Sequence, residues 1–167
     1  LLLAVVIVQT ALQFTHVEDA GAAPGDHLWS KRFGDANGQF GESVTVDGSG
    51  NVFLTGAFLG SVDFGGGPLT SAGHADIFLA KFDPAGNHLW SKRFGDANAQ
   101  SPTSVAVYGS GNAFITGLFL GSVDFGGGPL TSAGGYDIFL AKFDPTGNHL
   151  WSKRFGDAND QSPESVA

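Results

Sequence analysis

His27, His88 and His149 each open the same phrase, His-Leu-Trp-Ser-Lys-Arg-Phe-Gly-Asp-Ala-Asn, at a spacing of 61 residues. Histidine and serine are the parts of general-base and nucleophile chemistry. Here, however, Ser30 and its copies follow a tryptophan, with no Gly-x-Ser-x-Gly elbow to strain and expose the hydroxyl. Asp76 with Asp83, and Asp137 with Asp144, bracket an apolar run and supply the paired carboxylates of acid–base catalysis. At run ends in both copies they read as turn and cap residues. Trp29, Trp90 and Trp151 offer flat faces for sugars, yet their fixed place in the unit assigns them to packing between units. A group present in every copy is scaffold first, so none of these residues is taken as catalytic.

Oxygen ligands for a metal can be read in the same way. Asp47, Ser49 and Asn51 alternate like the first half of a calcium loop. The match then stops: Val52 stands where that loop needs Gly, no Glu follows at position twelve, and Tyr108 replaces Asp47 in the second copy. Asp63 and Asp124, each beside three glycines, are better calcium candidates, the alternative being a turn in which Asp caps local amides. No other cofactor is expected.

Residues that differ between copies carry more information than those that recur. Copy one (27–87) and copy two (88–148) differ at 12 of 61 positions, and a partial third copy covers 149–167. Positions 38–42 read Gly-Gln-Phe-Gly-Glu against Ala99-Gln100-Ser101-Pro102-Thr103, and His74-Ala75 faces Gly135-Tyr136. These two stretches hold half of all the differences. The candidate binding residues are therefore Phe40, Glu42, His74, Thr103, Tyr136 and Glu164, on loops held by a repeated scaffold.

Strands must position them. Four fit each unit: Ser43 to Val46, Asn51 to Phe58, Asp76 to Phe82 and His88 to Phe94. They are β-branched and aromatic runs bounded by Gly, Asn, Asp and Pro, and no helical period competes. Asp83-Pro84-Ala85-Gly86 is a type I turn sequence joining the third strand to the fourth. Asp47-Gly48-Ser49-Gly50 joins the first to the second. A longer connection, Leu59 to Ala75, spans the middle, with Val62 to Phe64 as a short edge strand. In the antiparallel order both tight hairpins lie at one end of the sheet. The long connection and the link to the next unit lie at the other, so the variable stretches share a face. The middle strands are apolar on both sides, which requires a neighbouring sheet on each side. The fourth strand carries Lys-Arg, as an outer edge should. Blades around an axis satisfy this; stacking into an open solenoid is the alternative, and the four-stranded unit favours blades. The fold class expected is all-β: four-stranded antiparallel β-propeller blades on a 61-residue repeat, as an incomplete propeller fragment.

The net charge of −8 and the confinement of every Lys and Arg to three positions of the repeat argue against nucleic-acid binding. Without cysteine the segment has no disulfide, thiolate metal site or thiol nucleophile. Leu1 to Val8 is an unbroken apolar run, too short to span a bilayer. It suits the core of a secretory signal that has lost its basic start, so 1–11 is taken as a truncated signal peptide or membrane anchor, a buried strand being the alternative. Residues 12–26 read as a linker.

The phrases Trp90-Ser91-Lys92-Arg93-Phe94-Gly95-Asp96, Gly50-Asn51-Val52-Phe53-Leu54-Thr55-Gly56 and Val62-Asp63-Phe64-Gly65 resemble the bacterial SBBP repeats of seven-bladed β-propellers. Such repeats occur in large secreted or cell-surface proteins, notably of myxobacteria. The resemblance covers 27–167 and implies a propeller and an exported location. It supplies no catalytic set. The function expected is a non-catalytic extracellular or cell-surface module that binds protein or polysaccharide, or acts as a scaffold. The alternative is a propeller lyase or hydrolase whose active site lies in blades missing from this fragment. Membrane contact is expected only through the N-terminal segment. Exposed end faces predict self-association, a closed trimer being one form of it.

Overall fold

The computed structural model describes residues 26–109 and 111–167, so the signal or anchor expected at 1–11 and nearly all of the linker at 12–26 lie outside the described residues. Twelve strands form: β1 (Gln39–Val46), β2 (Val52–Phe58), β3 (Ser61–Asp63), β4 (Pro68–Thr70), β5 (Asp76–Phe82) and β6 (His88–Phe94). The second unit repeats them as β7 (Gln100–Tyr108), β8 (Asn112–Phe119), β9 (Ser122–Asp124), β10 (Pro129–Thr131), β11 (Asp137–Phe143) and β12 (His149–Phe155). There is no helix among the described residues. Two four-stranded antiparallel sheets result, β1-β2-β5-β6 and β7-β8-β11-β12, each with a small hairpin, β3-β4 or β9-β10.

Two details differ from the sequence expectation. The first strand of each unit begins four residues before Ser43, because pairing continues past a β-bulge: Gly41 pairs with Gly56, Ser43 with Thr55, and Glu42 is the extra residue. Most of the stretch 38–42 is therefore strand, its Gly and Glu reflecting the bulge instead of a loop. The long middle connection also holds a complete hairpin, with Val62 paired to Leu69 across it.

The sheets stack face to face as the strand composition requires. Phe53, Ile77 and Leu79 of the first sheet share one core with Ala113, Ile115, Phe139, Ala141 and Phe143 of the second. Phe94, at the end of β6, crosses to the second sheet and sits 5.1 Å from Phe125 and 5.3 Å from Phe143, ring centre to ring centre. Phe33 makes the same pair of contacts one unit earlier, 5.0 Å from Phe64 and 5.3 Å from Phe82. A recurring polar contact sits four residues before each of these phenylalanines. The Trp29 indole N–H donates to the Pro84 carbonyl at 3.0 Å, and Trp90 donates to Pro145 at 3.2 Å. Each tryptophan thus clasps the tight turn of the following sheet. Gly86, in the turn beneath Trp29, has φ +79°, and a Cβ there would lie 2.8 Å from the indole, so the position requires glycine twice over. Beside the axis β1 lies next to β7, and the Val105 amide donates to Ser43 Oγ at 3.2 Å.

Candidate functional site

The bulges aim the candidate residues. At Gly41/Ser43 in β1 and Pro102/Ser104 in β7 the ladder slips by one residue, which puts Glu42 and Thr103 at equivalent, unpaired positions. Gly56 opposite the first bulge has no side chain, and a Cβ there would strike the Phe40 carbonyl and approach the Phe78 ring to 2.7 Å. The bulged backbone can approach this closely only across glycine.

Between the first and second sheets, on the face that carries the links, lies an open apolar groove of about 380 Å³. Phe40, Glu42, Ala57, Ala75, Ala99, Gln100, Ser101, Leu118 and Tyr136 line it. Eight of these nine residues fall at positions where the two copies differ; Gln100 alone matches its counterpart, Gln39. The copies agree at most of their positions, so this concentration distinguishes the groove from the other hollows. A gap of about 120 Å³ lined by Phe33, Leu54, Phe64 and Phe78 is a seam in sheet packing.

Of the six residues expected to bind, Phe40, Glu42 and Tyr136 are brought together here. Phe40 is 53 % exposed. Tyr136 is half-buried, its amide donating to Asp160 Oδ1 at 2.8 Å. The others stand apart. His74 is exposed, its amide donating to the Ala97 carbonyl at 3.3 Å. Thr103 is half-buried and turns its hydroxyl to the Thr116 carbonyl, 3.4 Å away. Glu164 is exposed on the strandless end segment. Ala57, Ala99 and Leu118 were missed, although each was marked by a difference between copies; small or aliphatic residues simply carry no chemistry to attract attention.

A repeated polar frame holds the groove floor. Gln100 is fully buried and donates Nε2–H to Asp96 Oδ1 at 2.8 Å and to the Leu120 carbonyl at 3.0 Å. Asp96 Oδ2 accepts the Ser122 amide at 2.8 Å. Burial pushes the Asp96 carboxyl up, but the Asn98 and Ser122 amides and the Gln100 and Asn98 side chains outweigh it and hold the carboxyl below its usual range. Asp35, with Asn37, Gln39 and Ser61, repeats this frame one unit earlier. The signal was present in sequence as Asp-x-Asn-x-Gln, recurring in every copy. Behind the floor Asp76 is fully buried against Arg93, and its Oδ2 also accepts the Ala72 amide at 3.0 Å. Burial raises the Asp76 carboxyl, opposed by the Arg93 contact. Asp137 and Arg154 repeat the pair.

The remaining chemistry-bearing residues have local partners. His88 Nε2 lies 3.0 Å from Ser91 Oγ, and His149 Nε2 lies 3.1 Å from Ser152 Oγ. No acid hydrogen-bonds either ring among the described residues. Asp63 Oδ1 accepts the Gly65 and Gly67 amides at 2.7 and 3.1 Å, and Asp124 does the same for Gly126 and Gly128. Asp47 Oδ1 accepts the Ser49 and Asn51 amides, both at 2.9 Å. These carboxylates close their own turns. Among the described residues no three His, Asp or Glu side chains gather as a metal group would.

The sheets, their order and their stacking are those of propeller blades. Residues 28–57 match the beta-propeller repeat family SBBP. An uncharacterized WD repeat-containing protein of Acanthamoeba polyphaga mimivirus is 26 % identical over 156 residues, an alignment that covers 75 % of this chain. The chain spans only 11 % of the length of that relative. The described residues are all-β, and their two four-stranded antiparallel sheets are β-propeller blades.

Proposed function

We propose that this chain is a non-catalytic binding module whose working surface is the groove between the blades. One observation carries the proposal: eight of nine lining residues sit where the copies differ, while the frame beneath them repeats. Surface drift alone would not choose Ala57, which is only 4 % exposed, together with Ala99 and Leu118. Binding sites are commonly such specialised surfaces carried on a rigid scaffold. The likeness to a WD repeat-containing protein fits a binding or scaffolding role. An exported location is proposed from the apolar run Leu1 to Val8 and the resemblance to SBBP repeats.

The ligand is a protein segment in preference to a polysaccharide. Sugar recognition needs several free hydrogen-bonding groups, and the groove wall is mostly alanine, leucine and aromatic ring. Its central amide, Gln100, is already engaged by Asp96 and Leu120. The test is a screen of the chain against a displayed peptide library and a polysaccharide array. A chain in which 38–42 carry Ala-Gln-Ser-Pro-Thr, as the second blade does, is screened beside it. Peptide binding that disappears in the exchanged chain is expected. Absence of any ligand, or binding indifferent to the exchange, would overturn the proposal.

A further inference from the structure

We propose that the groove takes a cationic side chain, lysine or arginine, of a protein partner, its stem on the Phe40 ring and its charge toward Glu42. This rests on the binding role proposed above and adds the chemistry of the ligand.

The chain shows the arrangement internally. Lys81 lies over the Phe53 ring, 4.8 Å from its centre, with Asp47 Oδ2 at 3.7 Å. Lys142 lies over Phe114 at 5.0 Å. Both lysines thus rest on an aromatic face, and at Lys81 a carboxylate stands beside it, so that ring quadrupole and charge act together there. Phe40 and Glu42 present the same two groups on the wall of one groove. No lysine or arginine of the chain pairs with Glu42 among the described residues. The acids beneath and behind the groove are engaged: Asp35 and Asp96 by the Ser61 and Ser122 amides, Asp76 and Asp137 by arginines. Glu42 is the one carboxylate among the residues that line the groove, on a chain of net charge −8 that attracts cationic segments at long range. Ala57, Ala75 and Ala99, lining the same groove, leave room for an aliphatic stem, and Tyr136 lines it as well.

Three substitutions test this without disturbing the fold, because each installs what the other blade already holds at that position: Phe40→Ser, Glu42→Thr and Tyr136→Ala. Peptides selected from a random displayed library on the full chain are synthesised with a fluorophore, and their affinities are read by anisotropy. The expected consensus contains Lys or Arg. Replacing that residue with norleucine, or Glu42 with Thr, weakens binding roughly tenfold, Phe40→Ser weakens it roughly three- to tenfold, and added salt weakens it further. A consensus without a cation overturns the inference, as does binding indifferent to Glu42→Thr. Peptide binding that survives all three substitutions refutes this site. Peptides that need Phe40 but carry no cation refute the charge and leave the binding role standing. A polysaccharide retained by the groove in place of peptides refutes the partner class. If neither peptides nor polysaccharides bind, both this inference and the binding role fail.

Discussion

β5 and β11 have the same sequence, Asp-Ile-Phe-Leu-Ala-Lys-Phe, and different surroundings. All seven residues of β5 are buried. In β11 burial alternates: Asp137, Phe139, Ala141 and Phe143 are covered, while Ile138, Leu140 and Lys142 are half-exposed. The covered set in β11 faces the first blade, and the half-exposed set faces away from it. A residue's burial here is decided by the neighbouring blade, not by its own strand, which is the energetic signature of repeat architectures. The polar partners follow the same rule. Lys81 reaches the Pro145 carbonyl at 3.1 Å and the Asp47 carboxylate, whereas among the described residues Lys142 has the Phe114 ring and no carboxylate, Tyr108 having replaced Asp47.

Paired substitutions sharpen that contrast. The largest expected difference is between Leu79→Ala and Leu140→Ala. The first opens a cavity in a sealed core and costs about 2–5 kcal/mol; the second trims a half-exposed side chain and costs about 1 kcal/mol. Urea unfolding of the two variants measures this, and equal losses would break the comparison. Next is Lys81→Met against Lys142→Met. Removing Lys81 leaves Asp47 and a carbonyl without a charged donor, at about 1–3 kcal/mol, while Lys142→Met is close to neutral. Trp90→Phe keeps an aromatic ring but loses the indole N–H and its bond to Pro145 together with some packing, costing at least about 1 kcal/mol in thermal unfolding; Trp29→Phe is expected to cost less, because its bond is more exposed.

The smallest effect concerns acid. Asp144 is held down to about 2 by the Thr146 and Asn148 side chains and the Asn148 amide. Its counterpart Asp83, with Ala85 in place of threonine, is lowered by Asn87. A carboxyl depressed by folding contributes stability that is fully present above its ordinary value near 3.8 and is lost as pH falls toward 2. Thr146→Ala should raise Asp144 in an NMR titration and narrow that window. An unchanged Asp144 titration would show that the hydroxyl contributes nothing.

The apolar side of β11 also bears on association. Phe114, Leu140 and Val107 line a hollow of about 340 Å³ with Val166 and Ala167. Light scattering of the chain across concentrations should show self-association that Leu140→Glu suppresses, and a monomer at every concentration would refute it.

Much of this architecture was legible in the chain. The third and fourth strands of each unit were bounded correctly, because Asp-Pro-x-Gly and Gly-Asn fix their ends chemically. The start of β1 was not, because a bulge made of Gly41 and Glu42 has the composition of a loop. Burial on both faces was foreseen for the middle strands. It holds fully for β5 and only on one face for β11, since sequence carries the strand's demand but not its neighbour. At the groove, Phe40, Glu42 and Tyr136 could be selected because they carry chemistry and differ between copies. Ala57, Ala99 and Leu118 differ too, but what they contribute is shape, which emerges only when two blades meet.

The clasp from Trp29 to Pro84 and from Trp90 to Pro145, each 55 residues onward, has one further consequence. The repeat period carries both halves of its own joint: the indole near the start of a unit and the turn near its end. A tandem duplication of 61 residues therefore adds a sheet that already fits the one before it and the one after it. Such a gene can lengthen or shorten by whole units through recombination between its own repeats, without evolving a new interface, which leaves the groove positions free to diverge one blade at a time.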